Sequence, residues 1–246
     1  MAQDRTAPLE NMTYTMEIGG WYRIIRGVIR FLLHVLARIE VTGLEHLPDQ
    51  GPYLMITNHL HWLDPPVLMA EYPRRGHVFA AEKWEVHWFL GPLMRSVEAI
   101  FVQRGEVDRK ALRQALALLN GGGVLGLAPE GTRSKTGGLI EGRSGAAYMA
   151  YRTGVPVVPI VVWGQEKVFP SLRRLRRACI RVTFGPTFKP PLVEGKASAA
   201  QVHAFVEEMM YHLAAMLPPE YRGVYSDVEE KRPDLVALYA ASRDTL

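Results

Sequence analysis

Cysteine is scarce in this sequence: one residue of 246, Cys179, carries a thiol. A single thiol excludes an internal disulfide framework and any metal or redox site built from paired cysteines. A chain without disulfides is typical of the cell interior, and Cys179 is expected to be a small buried hydrophobic residue.

Long hydrophobic runs are missing as well. No uncharged apolar stretch reaches the roughly 18 residues that a membrane-spanning helix needs, and residues 1–10 are polar and lack the apolar segment of a secretory signal. Apolar residues make up 48% of the chain and charged residues 22%, which indicates a globular protein. We therefore expect a globular protein that does not cross the membrane.

The net charge of +4 is concentrated in two segments. Residues 21–40 hold four arginines and one glutamate, and residues 165–181 hold six basic residues and one glutamate. On a helix, residues 21–40 place their cations within an arc of about 120° and apolar side chains opposite. These cations are Arg23, Arg26, Arg30, His34 and Arg38. The pattern predicts an amphipathic helix that lies on an anionic membrane surface; the alternative is a helix packed on the core with solvated arginines.

The second basic segment includes residues 171–177, with the sequence Ser-Leu-Arg-Arg-Leu-Arg-Arg. Four arginines in this spacing suit phospholipid headgroups, nucleic acid or an acidic carrier protein. A solvated arginine face is an equally good interpretation, and the sequence does not decide between them.

Strand and helix patterns alternate along most of the chain. Buried strands are predicted over residues 53–57, 77–80, 99–102, 124–128, 156–162 and 180–184. Helices are predicted over residues 84–94, 108–120, 144–153 and 200–216, with Asp108 as a cap. This alternation predicts an α/β fold, with a largely parallel mixed sheet flanked by helices and an N-terminal amphipathic helix. We expect three parts: an N-terminal segment at 1–40, an α/β domain at 41–217 and a C-terminal tail at 218–246.

The most informative stretch is Thr57-Asn-His-Leu-His-Trp-Leu-Asp-Pro-Pro66, which follows a buried strand. Open α/β sheets place their sites at this end of a strand. If the chain turns tightly, the Asp64 carboxylate reaches Nδ1 of His59 and leaves Nε2 as a general base. The alternative is that Asp64 only caps the following helix and His59 only packs.

Two further strand ends carry arginines. Arg104 follows residues 100–103, and Arg133 lies in the segment Pro129-Glu-Gly-Thr-Arg-Ser134. A pair of arginines on the side of the sheet where His59 emerges is suited to a phosphate group. Gly131 allows a ligand to approach the backbone closely, while an ordinary turn capped by Thr132 or Ser134 is the alternative.

Taken in order, His59 with Asp64, Phe101 to Arg104, Pro129 to Ser134 and Val155 to Ile160 resemble the four sequence blocks of the glycerolipid acyltransferases. The likeness is greatest to bacterial 1-acylglycerol-3-phosphate acyltransferases and runs from about residue 41 to residue 185. Lys83 also resembles a basic position of this family. Two positions depart from the pattern: His61 replaces a small hydroxyl residue, and Gln103 replaces an aspartate.

The resemblance implies direct acyl transfer from a thioester to the sn-2 hydroxyl of 1-acylglycerol-3-phosphate, giving phosphatidic acid. His59 is then the base and Asp64 its support. Arg104, Arg133 and Lys83 hold the phosphate, and Glu130, Gly131 and Thr132 shape the acceptor site. The donor is acyl-CoA or an acyl carrier protein, and no metal or other cofactor is expected. An apolar groove for the acyl chain would draw on Trp62, Trp84, Trp88, Phe89 and Leu90.

The implied location is peripheral, on the cytoplasmic face of the cell membrane, with a lysophospholipid acceptor. A second hypothesis keeps the chemistry but changes the acceptor to another lyso-lipid or a glycolipid. Two hypotheses without this chemistry are a lipid-binding module that has no catalytic activity and a basic nucleic-acid-binding domain. Nucleic-acid binding explains the arginines but not the order of the motifs, and the arginine segments hold few aromatic side chains for stacking on bases.

Overall fold

The strands of the protein form one mixed sheet. A computed structural model describes residues 20–74, 76–82, 85, 91, 94, 99–102 and 108–243. The strands are β1 (Ala37–Thr42), β2 (Tyr53–Thr57), β3 (His77–Ala81), β4 (Ile100–Val102), β5 (Val124–Leu127), β6 (Val157–Trp163) and β7 (Ala178–Phe184). Their order is β1-β7-β6-β2-β5-β3-β4, and every pairing is parallel except β6 with β7. The predicted largely parallel α/β fold is confirmed.

Helices cover the sheet. They are α1 (Gly20–Leu36), α2 (Asp64–Glu71), α3 (Arg109–Asn120), α4 (Gly145–Thr153), α5 (Val168–Leu172), α6 (Ala199–Met216), α7 (Val228–Lys231) and α8 (Pro233–Arg243). The Asp108 side chain accepts hydrogen bonds from the amides of Lys110 and Ala111, so this residue caps α3 as predicted. Most of the helix predicted over residues 84–94 lies outside the described residues.

The core has two halves, one on each face of the sheet. Leu54 and Ile56 of β2 pack in a cluster that includes buried residues of α3, α4 and α6. Tyr53 and Met55 point to the other face, in a cluster with buried residues of α1 and α2. Strands buried on both faces read as continuous apolar runs rather than as an alternation, which is why the four buried residues of β2, Tyr53 to Ile56, form such a run.

The predicted N-terminal helix is shorter than expected. It ends at Leu36, and the chain continues directly into β1, which pairs with β7 along Ala37–Thr42. Arg38 therefore lies on a strand and not on the helix. The boundary expected between residues 40 and 41 falls inside this strand.

Three cationic side chains of α1, those of Arg26, Arg30 and His34, contact α2. Arg26 donates from Nε to the carbonyl oxygens of Met69 and Ala70, each at 3.2 Å. His34 Nε2 lies 3.0 Å and Arg30 Nε lies 3.5 Å from Oε1 of the buried Glu71. Cations are favourable at the C-terminal end of a helix, where carbonyl groups lack intrahelical partners. Arg26 and Arg30 thus help to dock α1 on the domain, and the predicted contact of the arginines with a membrane stays a prediction.

The outward face of α1 is largely apolar, although Arg23 and Arg30 are also exposed. Six of its large hydrophobic side chains are exposed: Trp21, Ile24, Val28, Phe31, Leu32 and Val35. Tyr22 and Leu33 are buried on the opposite side. Within the described residues, every helix is too short or too polar to cross a lipid bilayer.

The segment expected to be a C-terminal tail packs into the core. Val228, Leu235 and Tyr239 are buried in the same cluster as α6. The Tyr239 hydroxyl lies 2.6 Å from Nδ1 of His212, which stacks on Phe188. The residues after 217 therefore complete one side of the domain.

Candidate active site

Three neighbouring strands bring the candidate residues together. β2 lies between β5 and β6 and is parallel to both, so the carboxyl ends of all three strands meet at one edge of the sheet. Residues 58–63 follow β2, residues 128–134 follow β5, and residues 164–167 follow β6. This edge is where open α/β sheets place their ligands.

His59 and Asp64 are in direct contact. The distance from Nδ1 of His59 to Oδ2 of Asp64 is 2.9 Å. The same oxygen accepts hydrogen bonds from the amides of Leu60 and His61, at 2.8 and 2.9 Å. The loop therefore wraps around the carboxylate, which is how two residues five positions apart meet without being on one helix.

Asp64 is not the predicted cap of α2. It is the first residue of the helix, and its side chain accepts no capping hydrogen bond. The next two residues, Pro65 and Pro66, have no N–H groups, and the amide of Val67 donates to the Leu63 carbonyl at 3.0 Å. The second carboxylate oxygen, Oδ1, instead accepts from Nε2 of Gln165 at 2.5 Å. Asp64 is 1% exposed, and these donors replace the water that its charge has lost.

The imidazole of His59 is oriented for proton transfer. An ionised carboxylate can only accept, so Nδ1 of His59 carries the hydrogen in this contact, and in the neutral imidazole Nε2 then holds the lone pair. Nε2 has no hydrogen-bond partner among the residues that the structure describes. The His59 side chain is 22% exposed, compared with 2% for Asp64. The arrangement is a solvent-accessible base backed by a buried carboxylate.

The loop after β5 holds the backbone of His59 on both sides. The His59 amide donates to Oε1 of Glu130 at 2.8 Å, and the His59 carbonyl accepts from the amide of Ser134 at 2.8 Å. The other oxygen of Glu130 accepts from the amide of Ile140 at 3.1 Å. Glu130 is 1% exposed, so it shapes the site from behind His59 and presents no oxygen to a ligand.

Burial raises the pKa of Glu130 from its ordinary 4.5 to about 7. The two backbone amides and the charge of His59 lower this pKa, but they do not offset the loss of hydration, and the nearby Asp64 carboxylate raises the pKa further. Near neutral pH, Glu130 is therefore divided between its neutral and ionised forms.

Arg133 lies on the exposed side of the same loop. Its charge lowers the pKa of His61, although burial of His61 is the largest cause of that shift. No ion-pair or hydrogen-bond partner of Arg133 occurs among the described residues. Gly131 has a φ of +68°, and its amide donates to the Ala128 carbonyl, so this amide is already used within the turn. Thr132 is half-buried beside it.

Several predicted site residues lie outside the described residues. These are Lys83, Trp84, Trp88, Phe89, Leu90, Gln103 and Arg104. Their roles stay predictions. The strands that precede Lys83 and Arg104 are β3 and β4, which run parallel to β2.

Comparison with known proteins places this geometry in a family. Residues 38–163, about half of the chain, match the family model described as Acyltransferase. The chain belongs to the acyltransferase family. The matched region includes the His59–Asp64 pair and the loop from Glu130 to Ser134.

Curated acyltransferases align with part of the chain. It is 32% identical over 152 residues to the 1-acyl-sn-glycerol-3-phosphate acyltransferase alpha of Ovis aries, covering 58% of this chain and 52% of that protein. It is 28% identical over 162 residues to the probable 1-acyl-sn-glycerol-3-phosphate acyltransferase of Mycoplasma pneumoniae, covering 63% and 60%. The chain thus spans about half to three fifths of the length of these relatives.

A solved acyltransferase shares the fold. The crystal structure of the 1-acyl-sn-glycerophosphate (LPA) acyltransferase from Thermotoga maritima superposes with a TM-score of 0.62. The match covers 86% of this chain and 79% of that chain at 23% identity.

Gln165 contacts the His59–Asp64 pair through Asp64, but it is not among the residues predicted from the sequence. It is fully buried and follows Gly164, a left-handed residue (φ +90°) at the end of β6. A Cβ at position 164 would lie 2.3 Å from the Cys179 carbonyl oxygen, so only glycine fits there. A polar residue directly after a buried strand is the signal that had singled out His59, and applied to β6 it finds Gln165.

An exposed aromatic pair borders the site. Trp62, in the loop between His59 and Asp64, stacks on Phe169 of α5 with ring centroids 5.9 Å apart. Trp62 is 52% exposed and Phe169 is 44% exposed. The segment from Gln165 to Phe169 therefore lies against the loop that carries His59.

Proposed function

We propose that the protein transfers an acyl group from a thioester donor to the sn-2 hydroxyl of 1-acylglycerol-3-phosphate, giving phosphatidic acid for phospholipid biosynthesis. The observation that carries the proposal is the 2.9 Å contact between Nδ1 of His59, whose side chain is partly exposed, and the buried carboxylate of Asp64. The names of the curated relatives support the choice of acceptor.

The proposed chemistry is direct transfer. Nε2 of His59 takes the proton of the acceptor hydroxyl while the oxygen forms a bond to the thioester carbonyl carbon. The tetrahedral intermediate then collapses, the carbon–sulfur bond breaks, and the imidazolium returns its proton to the departing thiolate. Asp64 stabilises the imidazolium between these steps, since its charge lies 2.9 Å from Nδ1. The two products are the ester and a free thiol.

Arg133 is proposed to bind the acceptor phosphate. Its exposed guanidinium has no ionic partner among the described residues, and it lies near enough to His61 to influence that ring. A guanidinium can bind a phosphate through two parallel N–H···O bonds, which fixes the position of the acceptor as well as holding it. Arg104 and Lys83 are proposed to share this role on the basis of their positions in the sequence.

The protein is proposed to act as a peripheral protein at the cytoplasmic face of the cell membrane. Six exposed apolar side chains on the outward face of α1 support contact with lipid, because such a surface on one helix is typical of interfacial helices. The acceptor carries one acyl chain and resides in the bilayer, while an acyl-CoA or acyl carrier protein donor arrives from the cytosol.

Purified protein supplied with lysophosphatidic acid and either acyl-CoA or acyl carrier protein tests the proposal. We expect equimolar release of thiol and phosphatidic acid, absent in His59→Ala. A panel of lyso-lipid and glycolipid acceptors shows whether lysophosphatidic acid is the preferred acceptor. Vesicle binding by a correctly folded protein without turnover of any acceptor would contradict the proposal and favour a lipid-binding module.

A further inference from the structure

The turn after α5 presents an apolar side chain in a strained position. Leu175 has a φ of +53° and, within the described part of the chain, is the one residue other than glycine with a positive φ. Its side chain is 97% exposed. The turn is well formed, since the amides of Arg174, Leu175 and Arg176 donate to the carbonyls of Ser171 and Leu172.

Neither the strain nor the exposure of Leu175 helps this chain to fold. A left-handed backbone is unfavourable for a leucine, and glycine would occupy the position without strain. A fully exposed leucine also buries no apolar surface within the protein. The positive φ sets Leu175 apart from other exposed leucines such as Leu192, and a surface outside the chain that took up the side chain would give this position a use.

The neighbours of Leu175 are cationic. Arg173, Arg174 and Arg176 are exposed, and none has an ion-pair partner among the described residues. Arg177 instead donates to the carbonyl oxygens of His34 and Ala37, at 2.6 Å for Ala37, and so ties the turn to the C-terminal end of α1. The turn is therefore an apolar tip between arginines, fixed to the helix whose outward face is apolar.

The same segment leads to the candidate active site. Phe169, six residues before Leu175, stacks on Trp62, and Gln165 bonds to Asp64. The chain from Gln165 to Arg177 thus contacts the catalytic loop at one end and α1 at the other. A surface that binds the turn also fixes the position of His59 relative to that surface.

We propose that residues 173–177 are a second lipid contact, which binds the headgroups of an anionic bilayer and sets the active site at its surface. Leu175 enters the boundary between headgroups and acyl chains, while the flanking guanidinium groups bind lipid phosphates. The purpose of this contact, which is to position the active site at the bilayer, rests on the proposed function. The binding of lipid by these residues does not. An acidic carrier protein would match the arginines, but the apolar side chain of Leu175 among them and the hydrogen bonds of Arg177 to the end of α1 favour lipid.

Sedimentation of the full chain with vesicles tests the contact. The vesicles are phosphatidylcholine with or without anionic phosphatidylglycerol. For anionic vesicles we expect binding to weaken roughly fivefold for each of Arg173, Arg174 and Arg176 changed to Gln, and about tenfold in Leu175→Asp. Leu192→Asp is the matched control, because Leu192 is an exposed leucine in another loop. Binding weakens rather than disappears, since α1 is unchanged.

Leu175→Gly separates lipid binding from stability. Glycine relieves the left-handed strain, so we expect an unchanged or higher thermal midpoint together with about tenfold weaker binding to anionic vesicles. A lower midpoint with unchanged binding would show that Leu175 serves the fold and would overturn the proposal.

The activity assays separate failure of this contact from failure of the proposed function. With the acceptor in anionic vesicles, turnover by Leu175→Asp should fall together with binding, whereas turnover of a soluble short-chain acceptor should not change. If vesicle binding is unchanged and only the KM for acyl carrier protein rises, the turn is a carrier-protein surface and the proposal is wrong. If the unsubstituted protein turns over no acceptor, the proposed function fails while the vesicle measurements still decide the contact.

Discussion

Gln165 donates a hydrogen bond of 2.5 Å to Oδ1 of Asp64, although 101 residues separate them in the sequence. Oδ2 of Asp64 is already used by His59 and by two backbone amides, so Gln165 fixes the other side of the carboxylate. Both groups are buried. Without the amide, Oδ1 would lie unpaired in the interior, and the carboxylate would be free to rotate away from His59.

We predict that Gln165→Leu lowers kcat about tenfold and reduces stability by about 1–3 kcal/mol. Losing this donor concentrates charge on Oδ2, which stabilises the His59 imidazolium, so the acidic limb of the pH–rate profile should move to higher pH. Steady-state kinetics across the pH range measures the shift.

A second substitution and a control make the Gln165 test specific. Gln165→Glu restores the donor only while the new carboxyl is protonated, so its activity relative to the unsubstituted protein should be highest at low pH and fall as the pH rises. Gln201→Leu removes the side chain that completes the capping box of α6, and it should reduce stability without moving the limb. If the acidic limb of the pH–rate profile does not move in Gln165→Leu, the role of Gln165 is to stabilise the fold alone.

Polar residues that follow predicted strands pointed to His59, Asp64 and the loop after β5, but the sequence did not reveal the distant residue that supports Asp64. The five-residue spacing of His59 and Asp64 suggested contact through a tight turn, and local amides build that turn. The interpretation of Asp64 as a cap failed for a local reason, because Pro66 provides no amide and the amide of Val67 already donates to the Leu63 carbonyl. Gln165 depends on β6 lying beside β2, which is a property of strand order and not of local sequence.

The boundary between α1 and β1 shows where periodicity is ambiguous. Ile39 continues the apolar pattern of α1, so the helix was expected to run to residue 40. Residues 37–42 form a strand instead of continuing the helix because the strand pairs with β7. Glu40 is the register partner of Arg181 on β7, and their side chains form an ion pair at 2.7 Å. Tertiary pairing of this kind overrides local propensity.

We predict that His59, and not His61, is the base. His59→Gln should lower kcat by about 10²–10⁴-fold. His61→Gln should retain most activity, since Nδ1 of His61 faces the amide of Leu63 and not a carboxylate. Single-turnover rates at saturating donor and acceptor measure the chemical step. Equal losses in the two variants would contradict the assignment.

Arg133→Ala should raise the KM for lysophosphatidic acid by about 10–100-fold with little change in kcat, because a hydrogen-bonded charge contact to the acceptor is lost. Lys135→Ala is the matched control, an exposed cation two residues away, and it should leave this KM unchanged. The KM for the donor should not respond to either substitution. A loss confined to kcat in Arg133→Ala would place the guanidinium at the reacting carbonyl instead of the phosphate.

Glu130 should make stability depend on pH in a defined window. Its pKa is raised on folding from 4.5 to about 7, so the folded state binds more protons within this window, and its contribution to stability is lost as the pH rises through it. The loss should reach about 3 kcal/mol above that window. In Glu130→Gln the side chain at this position does not titrate. Its new amide group faces a backbone N–H, which lowers the stability by an amount that does not depend on pH.

Urea unfolding at about pH 5 and about pH 8 tests the Glu130 prediction. The stability advantage of the unsubstituted protein over Glu130→Gln should shrink at the higher pH. Glu141→Gln provides the control, since Glu141 is exposed, and its difference from the unsubstituted protein should be the same at both values. A gap between Glu130→Gln and the unsubstituted protein that does not change with pH would show that the carboxyl remains ionised throughout.

Substitutions on the two faces of α1 should affect different properties: membrane binding on the exposed apolar face and stability on the face that contacts α2. Val28→Asp with Phe31→Asp removes apolar surface that is exposed, so the fold should remain intact while vesicle binding weakens at least about tenfold, even without anionic lipid. Arg26→Gln breaks hydrogen bonds to the end of α2 and should cost about 1 kcal/mol of stability with a smaller effect on binding. If Arg26→Gln released the protein from anionic vesicles at unchanged stability, the arginines rather than the apolar face would make the membrane contact.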